Sequence, residues 1–336
     1  MRVYGAAMNT NRRITLAQRP DGPVAAECFA ADEVDVPVPG PGQILVEVSW
    51  LSIDPTIRGW MAYDTYLPAI EIGAEIRSGG LGKVIESNND KIPVGSTVFG
   101  TVGWQQYAVL GADAMVVPEG VEPEAALSVF GVTGLTAYFG LLDIGRPVEG
   151  ETVLVSGAAG ATGSVVGQIA KIKGCRVVGL AGSDEKCAWL VDQLGYDAAI
   201  NYKTENVRKA INQHCPKGVD VFFDNVGGDI LEDAIANLAL RGRVVMCGAI
   251  SGYNDSVPAP GPNNLTTLIS MRGRMEGFII LDYFARSGEA IADMGGWIME
   301  GKLTYATDVV EGLDNAPEAL DRLFTGANAG KVMVKL

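Results

Sequence analysis

A turn rich in glycine and alanine joins a β-branched run to an amphipathic stretch between residues 153 and 174. This order of residue types predicts a strand, a tight turn and a helix. Backbone N–H groups in the first turn of such a helix lie at the positive end of the helix dipole, where they bind phosphate. Gly160 would let the backbone approach the phosphate, and Gly163 would let the helix pack closely on the strand. We therefore expect phosphate contacts from Gly160, Ala161, Thr162 and Gly163.

The pattern of this turn is incomplete, because Ala158 stands at the first position of the usual Gly-x-Gly-x-x-Gly. A glycine- and alanine-rich turn of an ordinary α/β protein is the alternative interpretation. The matching strand, spacing and helix favour the phosphate site.

The end of the next strand indicates which nucleotide the turn would bind. Sites for NAD usually carry a carboxylate about 20 residues beyond the glycine turn, where it holds the ribose 2′-hydroxyl. This chain has Gly182 and Ser183 there, followed closely by Lys186. A small residue followed by a cation suits a 2′-phosphate, so we expect NADPH. Ser183 followed by two acidic residues is also typical of a helix N-cap, and the two interpretations are compatible.

Histidine and cysteine, the usual zinc ligands, are scarce and dispersed. His214 is the only histidine, and the five cysteines form no Cys-x-x-Cys pair. This indicates neither a disulfide framework nor a zinc ribbon, and we expect no metal site. The sequence Cys215-Pro216-Lys217-Gly218 is typical of a helix end and turn. We therefore interpret His214 as a C-terminal helix residue rather than a catalytic base.

The chain contains two regions with different patterns of predicted secondary structure, and these must position the residues above. Up to about residue 125, short β-type runs alternate with Gly and Pro turns, which predicts a largely antiparallel barrel or sandwich. From about residue 150, strands and helices alternate, which predicts a parallel sheet covered on both faces. Helices are expected at 230–240 and 282–300, and a strand at 275–280. The tail at 330–335 is expected to be a strand that returns to the first region.

The bulk composition limits the class of protein. With 336 residues, of which 48% are apolar and 20% charged, the chain is long enough for two domains with hydrophobic cores. A net charge of −14 disfavours nucleic acid or an anionic membrane as the main partner. No apolar run approaches the roughly 20 residues that cross a bilayer, and no secretory signal is evident. We expect a cytoplasmic protein.

A series of different short motifs is distributed along nearly the whole chain. They are Asp54-Pro55, Gly103-Trp104, Gly182–Lys186, Asn201–Thr204, Phe223–Gly228, Cys247–Asn254, Arg274–Phe278 and Asn328–Lys331. Together they resemble the zinc-independent medium-chain dehydrogenases/reductases. The branch that they match contains prostaglandin reductases, leukotriene B4 12-hydroxydehydrogenases, alkenal double-bond reductases and curcumin-reductase-like enzymes.

The resemblance implies an α/β fold with two domains. A Rossmann domain, with a doubly wound parallel sheet, would span 126–304 and bind NADP. A GroES-like, mostly antiparallel β-barrel would form the catalytic domain from 1–125 and 305–336. A homodimer is also implied.

The resemblance further implies that Lys186 and Tyr202 hold the 2′-phosphate of NADPH. The other implied cofactor contacts are Asn225, Cys247, Tyr253, Phe278 and Asn328. Each has a structural alternative, since Tyr202 could end a strand, Asn225 could cap a turn and Phe278 could belong to the core.

The composition limits the chemistry that these residues could perform. Zinc-dependent members of the wider superfamily use Cys, His and Cys or Glu as catalytic ligands, which this chain cannot supply. We therefore expect metal-free hydride transfer to the β-carbon of an α,β-unsaturated aldehyde or ketone. Charge then moves to an enolate oxygen, which a hydrogen-bond donor must stabilise. A tyrosine hydroxyl suits this role because it stays protonated at neutral pH.

Tyr253 is the first candidate for this donor, because the related enzymes have Tyr at this position of an Ala-Ile-Ser-x-Tyr-Asn motif. It could equally position the cofactor. Tyr63 and Tyr66 are secondary candidates on the substrate side, with a surface loop as their alternative interpretation. Many relatives have Tyr after Asp-Pro, where this chain has Thr56. The rival functions are an NADPH:quinone oxidoreductase of the same superfamily and a non-catalytic NADPH-binding protein.

Overall fold

A computed structural model describes residues 10–111, 114–257 and 259–336 of the chain. The chain divides into two compact units. Unit 1 comprises Met1–Leu127, Asp308–Ala327 and Val332–Leu336, and unit 2 comprises Ser128–Thr307 and Asn328–Lys331.

Within the described residues, strands and helices are distributed over both units. The strands are β1 (Thr10–Leu16), β2 (Phe29–Asp35), β3 (Ile44–Ser52), β4 (Gly79–Ser87), β5 (Thr97–Thr101), β6 (Tyr107–Leu110), β7 (Met115–Val116), β8 (Thr152–Val155), β9 (Arg176–Ala181), β10 (Ala198–Asn201), β11 (Val219–Asp224), β12 (Leu238–Met246), β13 (Arg274–Gly277), β14 (Thr307–Glu311) and β15 (Lys331–Lys335). The α-helices are α1 (Thr56–Ala62), α2 (Pro123–Leu127), α3 (Val132–Phe139), α4 (Ala161–Ile172), α5 (Asp184–Asp192), α6 (Val207–His214), α7 (Gly228–Ala236), α8 (Thr266–Met271), α9 (Ser287–Met299) and α10 (Ala316–Thr325). A π-helical turn spans Gly140–Gly145, and 3-10 turns include Ile250–Gly252 and Ile280–Arg286.

Unit 1 is built on a mostly antiparallel sheet. Its strand order is β14-β15-β3-β4-β5-β7, with β6 paired to β3, and β1 and β2 form a separate antiparallel pair. In β3, Val46 and Val48 are buried while Glu47 and Ser49 are exposed. This alternation is typical of a strand with one face on a core. That core includes Trp104, which is fully buried.

Unit 2 is built on a parallel sheet whose strand order is β10-β9-β8-β11-β12-β13. All four residues of β8 are buried, as expected for a strand covered by helices on both faces. Consecutive strands extend in one direction from β8 to β10 and in the other from β11 to β13. In open α/β sheets, ligands bind at the carboxyl ends of the strands where the order reverses. In unit 2 this point lies between β8 and β11.

The two sheets confirm the expected α/β class, with one parallel and one mostly antiparallel sheet. The helix expected at 230–240 is wrong at its end, because α7 stops at Ala236 and Leu238 already pairs with Val219 in the sheet. Arg241 then adopts a left-handed φ of 64°, which is incompatible with a continuing helix.

The segment after β12 also differs from expectation. The strand expected at 275–280 ends at Gly277, and the helix expected at 282–300 begins with the 3-10 turn Ile280–Arg286 before α9 starts at Ser287. In the described part of the chain, no helix is both long and apolar enough to cross a membrane.

Candidate functional site

The turn between β8 and α4 is tightly folded around glycine. Gly157 has a φ of +56°, a left-handed conformation that residues with a Cβ rarely adopt. The Gly160 N–H donates to the Gly157 carbonyl at 3.0 Å, and Gly160 is the N-cap of α4. In the Gly-x-Gly-x-x-Gly pattern the first glycine forms the tight turn. Here Gly157 forms that turn, one residue before Ala158, which occupies the first position of the pattern.

Gly160 and Gly163 have different surroundings. A Cβ on Gly163 would lie 2.4 Å from the Gly157 carbonyl oxygen and 2.8 Å from Ala158 Cα, so α4 packs too closely on the turn for any side chain. Among the described residues, a Cβ on Gly160 would meet only the Gly157 carbonyl oxygen, at 3.2 Å. The open side of Gly160 leaves room for a ligand to approach the backbone.

A segment near the C-terminus lies against this turn. The Gly330 N–H donates to the Ala159 carbonyl at 2.9 Å, and Gly330 forms a parallel bridge with Gly160. Asn328 is buried, and its Nδ2 donates to the Gly330 carbonyl at 3.1 Å. Gly330 has a φ of +71°, and a Cβ there would lie 2.1 Å from the Ala306 carbonyl oxygen. This backbone path brings Asn328 to the turn, although the two are distant in sequence.

A hydrogen-bond network joins the carboxyl ends of β8 and β11. Ser156 Oγ donates to Asp224 Oδ1 at 2.7 Å and accepts from the Asn225 N–H at 2.8 Å. Asn225 Nδ2 donates to the Ser156 carbonyl at 2.7 Å. The N–H groups of Val226 and Gly227 also donate to Asp224, which is fully buried. Burial raises the pKa of Asp224 above its usual range, although these hydrogen bonds oppose the shift.

Sequence reasoning missed Ser156 and Asp224, although it proposed Asn225. Each missed residue is a polar side chain at the end of a buried strand. The carboxyl ends of neighbouring parallel strands share one edge of a sheet. The position of Ser156 and Asp224 at the ends of two such strands could therefore have identified them as site residues.

Cationic and polar side chains surround the end of β9. Ser183 caps α5, with its Oγ accepting from the Lys186 backbone N–H at 3.3 Å, as expected. A Cβ on Gly182 would lie 2.7 Å from the Tyr202 hydroxyl, so this hydroxyl lies directly over the strand end. Burial, together with the charge of Lys203, lowers the pKa of Lys186. The structure thus places Lys186 and Tyr202 at the same strand end.

Tyr253 lies in the loop that follows β12. The loop begins at Cys247 and Gly248, whose N–H groups donate to the Asp224 carbonyl at 2.9 and 3.0 Å. The Tyr253 hydroxyl accepts from the Ala249 N–H at 3.3 Å. A phenol that accepts a hydrogen bond can still donate its own proton. Burial raises the pKa of the Cys247 thiol to about 12, so this thiol is neutral at physiological pH.

The Phe278 side chain belongs to an aromatic cluster. Its ring contacts Phe223 and Tyr283 edge to face, with centroid distances of 6.5 and 6.3 Å. A Cβ on Gly140 would lie 2.4 Å from Phe278 Cζ, so the ring lies directly on the backbone of the π-helical turn. Phe278 is half-buried, so its ring packs in this cluster while the residue keeps part of its surface exposed.

Tyr63 and Tyr66 lie in unit 1, after α1, and are 54% and 47% exposed. The Tyr66 hydroxyl is 3.2 Å from Thr56 Oγ1, and its ring contacts Trp60 edge to face at 6.1 Å. Thr56, which follows Asp54-Pro55, thus lies within hydrogen-bond distance of the Tyr66 hydroxyl.

Possible metal ligands are not clustered in the described part of the protein. Over residues 10–111, 114–257 and 259–336, no group of three His, Cys, Asp or Glu side chains is arranged to hold a metal ion. His214 is the last residue of α6, and its carbonyl accepts from Arg176 Nε at 3.0 Å.

The carboxyl ends of the parallel strands in unit 2 gather most of these groups at one edge of the sheet. The start of α4 supplies N–H donors beside the open side of Gly160, and Lys186 supplies a positive charge at the end of β9. A pyrophosphate suits the first position and a 2′-phosphate suits the second. The residues present therefore fit NADPH.

Comparison with known proteins gives matches over both units. Residues 12–117 match a family described as the N-terminal domain of oxidoreductase, and residues 161–293 match a family described as zinc-binding dehydrogenase. The chain is 40% identical to the NADPH-dependent curcumin reductase of Escherichia coli, covering 99% of both chains. It is 38% identical to the NADP(+)-dependent 2-alkenal reductase of Nicotiana tabacum, covering 88% of both chains. A crystal structure of CurA from Vibrio vulnificus in complex with NADPH is similar with a TM-score of 0.92 and 40% identity, covering 96% of this chain and 98% of that one.

Proposed function

Because the chain belongs to the medium-chain dehydrogenases/reductases, in the branch that contains curcumin and 2-alkenal reductases, we propose that it reduces the C=C bond of α,β-unsaturated aldehydes and ketones with NADPH. The relatives support C=C reduction, and the observation that carries the choice of NADPH is the end of β9. There, Gly182 and Ser183 stand where NAD sites carry a carboxylate, and Lys186 supplies a positive charge.

The cofactor would be held entirely by unit 2. The first turn of α4 would bind the pyrophosphate, and Lys186 and Tyr202 the 2′-phosphate. The network of Ser156 and Asp224 holds Asn225 in place, so Asn225 would present a fixed amide to the cofactor. The proposed contacts are Gly160, Ala161, Thr162, Gly163, Lys186, Tyr202, Asn225, Cys247, Tyr253, Phe278 and Asn328.

When bound, NADPH supplies the hydride that adds to the β-carbon of the substrate. The protein must then stabilise the negative charge that moves to the carbonyl oxygen, while the α-carbon takes one proton from a tyrosine hydroxyl or from water. We propose that the Tyr253 hydroxyl donates to this oxygen while the Ala249 N–H holds the phenol in place. A hydrogen-bond donor meets this need without a metal ion. Tyr66 and Tyr63, in unit 1, are the alternative donors.

The proposal is tested by purified protein, NADPH and a panel of alkenals, alkenones and aryl enones. Loss of NADPH absorbance should accompany a saturated aldehyde or ketone, identified by mass spectrometry. A hydroquinone formed only from quinones would favour the quinone reductase. NADPH binding without turnover of any acceptor would make the protein a binding protein.

Phenylalanine variants of the three tyrosines assign the donor. Tyr253→Phe should lower kcat by about 10² to 10⁴-fold, the usual contribution of general acid catalysis. If Tyr253→Phe retains full kcat and only weakens NADPH binding, Tyr253 positions the cofactor. The same loss of kcat in Tyr66→Phe or Tyr63→Phe would then transfer the role to that residue.

We also propose a homodimer formed through unit 2. β13 is the edge strand of its sheet, and an edge strand offers unpaired backbone groups to a second strand. The exposed apolar side chains Leu240, Leu265 and Ile269 lie in the same unit. Light scattering should give twice the chain mass, and Ile269→Asp should shift the mass toward the monomer.

The five cysteines, all of which are free thiols, fit a reducing compartment. We therefore propose a cytoplasmic location, which subcellular fractionation would test.

A further inference from the structure

We infer that Lys203 is a second cationic ligand of the cofactor's 2′-phosphate, facing the same pocket as Lys186, and that Asn201 holds it there. This inference rests on the proposed NADPH site and adds a residue that determines the preference for NADPH over NADH.

The position of Lys203 is the first argument. A Cβ on Gly182 would lie 3.3 Å from Lys203 Cε and 2.7 Å from the Tyr202 hydroxyl oxygen. The Lys203 side chain therefore extends over Gly182, beside the Tyr202 hydroxyl. Its ammonium group is one bond from Cε, so the charge lies at the end of β9, where the 2′-position of the cofactor is expected.

Asn201 connects this lysine to the helix that carries Lys186. Asn201 is buried, and its Oδ1 accepts from the Lys203 N–H at 3.1 Å. Its Nδ2 donates to Asp184 Oδ1 at 2.7 Å, in the first turn of α5. A single amide thus fixes the backbone of Lys203 relative to the helix turn that contains Lys186.

The charges around this point favour a dianion. Burial lowers the pKa of Lys186, and repulsion from the charge of Lys203 lowers it further. The nearby carboxylates accept hydrogen bonds from neighbouring residues. Asp184 accepts from the Asn201 side-chain amide, Glu205 accepts from the Asn201 N–H, and Glu185 accepts from the Ser183 side chain and its own N–H. A phosphate monoester carries about 1.5 to 2 negative charges at pH 7, which would offset the repulsion between the lysines. The 2′-hydroxyl of NADH is neutral and would not offset this repulsion.

Binding measurements on the whole protein test the inference without relying on turnover. The ligands are NADPH, NADH, adenosine 2′,5′-bisphosphate and AMP, with affinity measured by calorimetry or cofactor fluorescence. Lys203→Met keeps the aliphatic chain over Gly182 and removes the charge, whereas Lys203→Arg keeps the charge. Lys209→Ala, at an exposed position on α6, controls for the loss of one positive charge. Lys186→Met is the reference for the 2′-phosphate contact already proposed.

We expect Lys203→Met to weaken the binding of NADPH and of adenosine 2′,5′-bisphosphate by about tenfold, which corresponds to about 1.4 kcal/mol of binding free energy. Its affinity for NADH and AMP should be unchanged. Lys203→Arg and Lys209→Ala should bind all four ligands as the parent does.

Two results would overturn the inference and leave NADPH as the cofactor. One is a Lys203→Met variant that binds NADPH as the parent does while Lys186→Met binds it weakly. The other is an equal loss of NADPH and NADH affinity in Lys203→Met, which would show a structural role only. If neither Lys186→Met nor Lys203→Met changes the ratio of NADPH to NADH affinity, the proposed 2′-phosphate site itself is wrong.

Discussion

Ser156 donates a hydrogen bond to Asp224 at 2.7 Å and thereby joins the carboxyl ends of β8 and β11, the two strands between which the order of the parallel sheet reverses. The same hydroxyl accepts from the Asn225 N–H. One buried side chain thus connects the glycine turn on β8 to an amide proposed to contact the cofactor.

Removing this hydroxyl should affect both stability and cofactor binding. Ser156→Ala leaves the Asn225 N–H without its acceptor and removes one of the hydrogen bonds to Asp224, which costs about 1 to 3 kcal/mol of unfolding free energy. Affinity for NADPH should fall as well, because Asn225 loses one of its two hydrogen bonds to residue 156 and is held less firmly. Urea unfolding and NADPH titration measure the two effects. Ser270→Ala removes an exposed hydroxyl of α8 and serves as the control. Wild-type stability in Ser156→Ala would contradict the role of this network.

Two alanine substitutions in the glycine turn should separate packing from binding. Gly163→Ala places a methyl group 2.4 Å from a carbonyl oxygen, so we expect a loss of about 1 to 3 kcal/mol of unfolding free energy. Gly160→Ala meets only one atom, at 3.2 Å, and should keep most of its stability while weakening NADPH binding. Thermal unfolding and NADPH titration on both variants provide the comparison. Equal stability of the two variants would contradict the packing assigned to Gly163.

Three cysteines should react slowly with alkylating reagents at neutral pH. Burial raises the pKa of Cys175 to about 11, and the pKa values of Cys215 and Cys247 to about 12. Because the thiolate is the reactive form, labelling by iodoacetamide should rise about tenfold per pH unit between pH 7 and 10. Peptide mass spectrometry measures each site, and protein unfolded in urea gives the unhindered rate. Rapid labelling of the folded protein at pH 7 would contradict these environments.

The raised pKa of Asp224 predicts a specific pH dependence of stability. The folded protein binds this proton more tightly than the unfolded chain does, so the carboxyl's contribution is complete below the unfolded pKa of about 4. The contribution is lost as the pH rises through the folded pKa. The unfolding free energy of the wild type, relative to Asp224→Asn, should therefore fall as the pH is raised from about 4 toward 7. Urea unfolding across this range measures the difference, and a difference that rises with pH would contradict the prediction.

The parts of the fold that depend on local pattern were predictable from the sequence. The buried run of β8, the turn at Gly160 and the Ser183 cap of α5 each arise from residues adjacent in the chain. The end of α7 was predicted wrongly because the pairing of Leu238 with Val219 determined it, and that contact is distant in sequence.

The candidate site depends on such distant contacts to a greater degree. Asn328 reaches the glycine turn through Gly330, whose backbone bonds to Ala159. Phe278 packs on Gly140, from another part of unit 2. Residue type alone does not predict these contacts, although the family motifs predicted Phe278 and Asn328 as site residues.

Reduction of the C=C bond is measured most directly with NADPH that carries deuterium at C4 of the nicotinamide, in the position of the hydride that is transferred. With an α,β-unsaturated ketone as substrate, we expect a saturated ketone that carries the label at the β-carbon, located by NMR and mass spectrometry. An allylic alcohol with the label at the former carbonyl carbon, or no labelled product from any enal or enone, would contradict it.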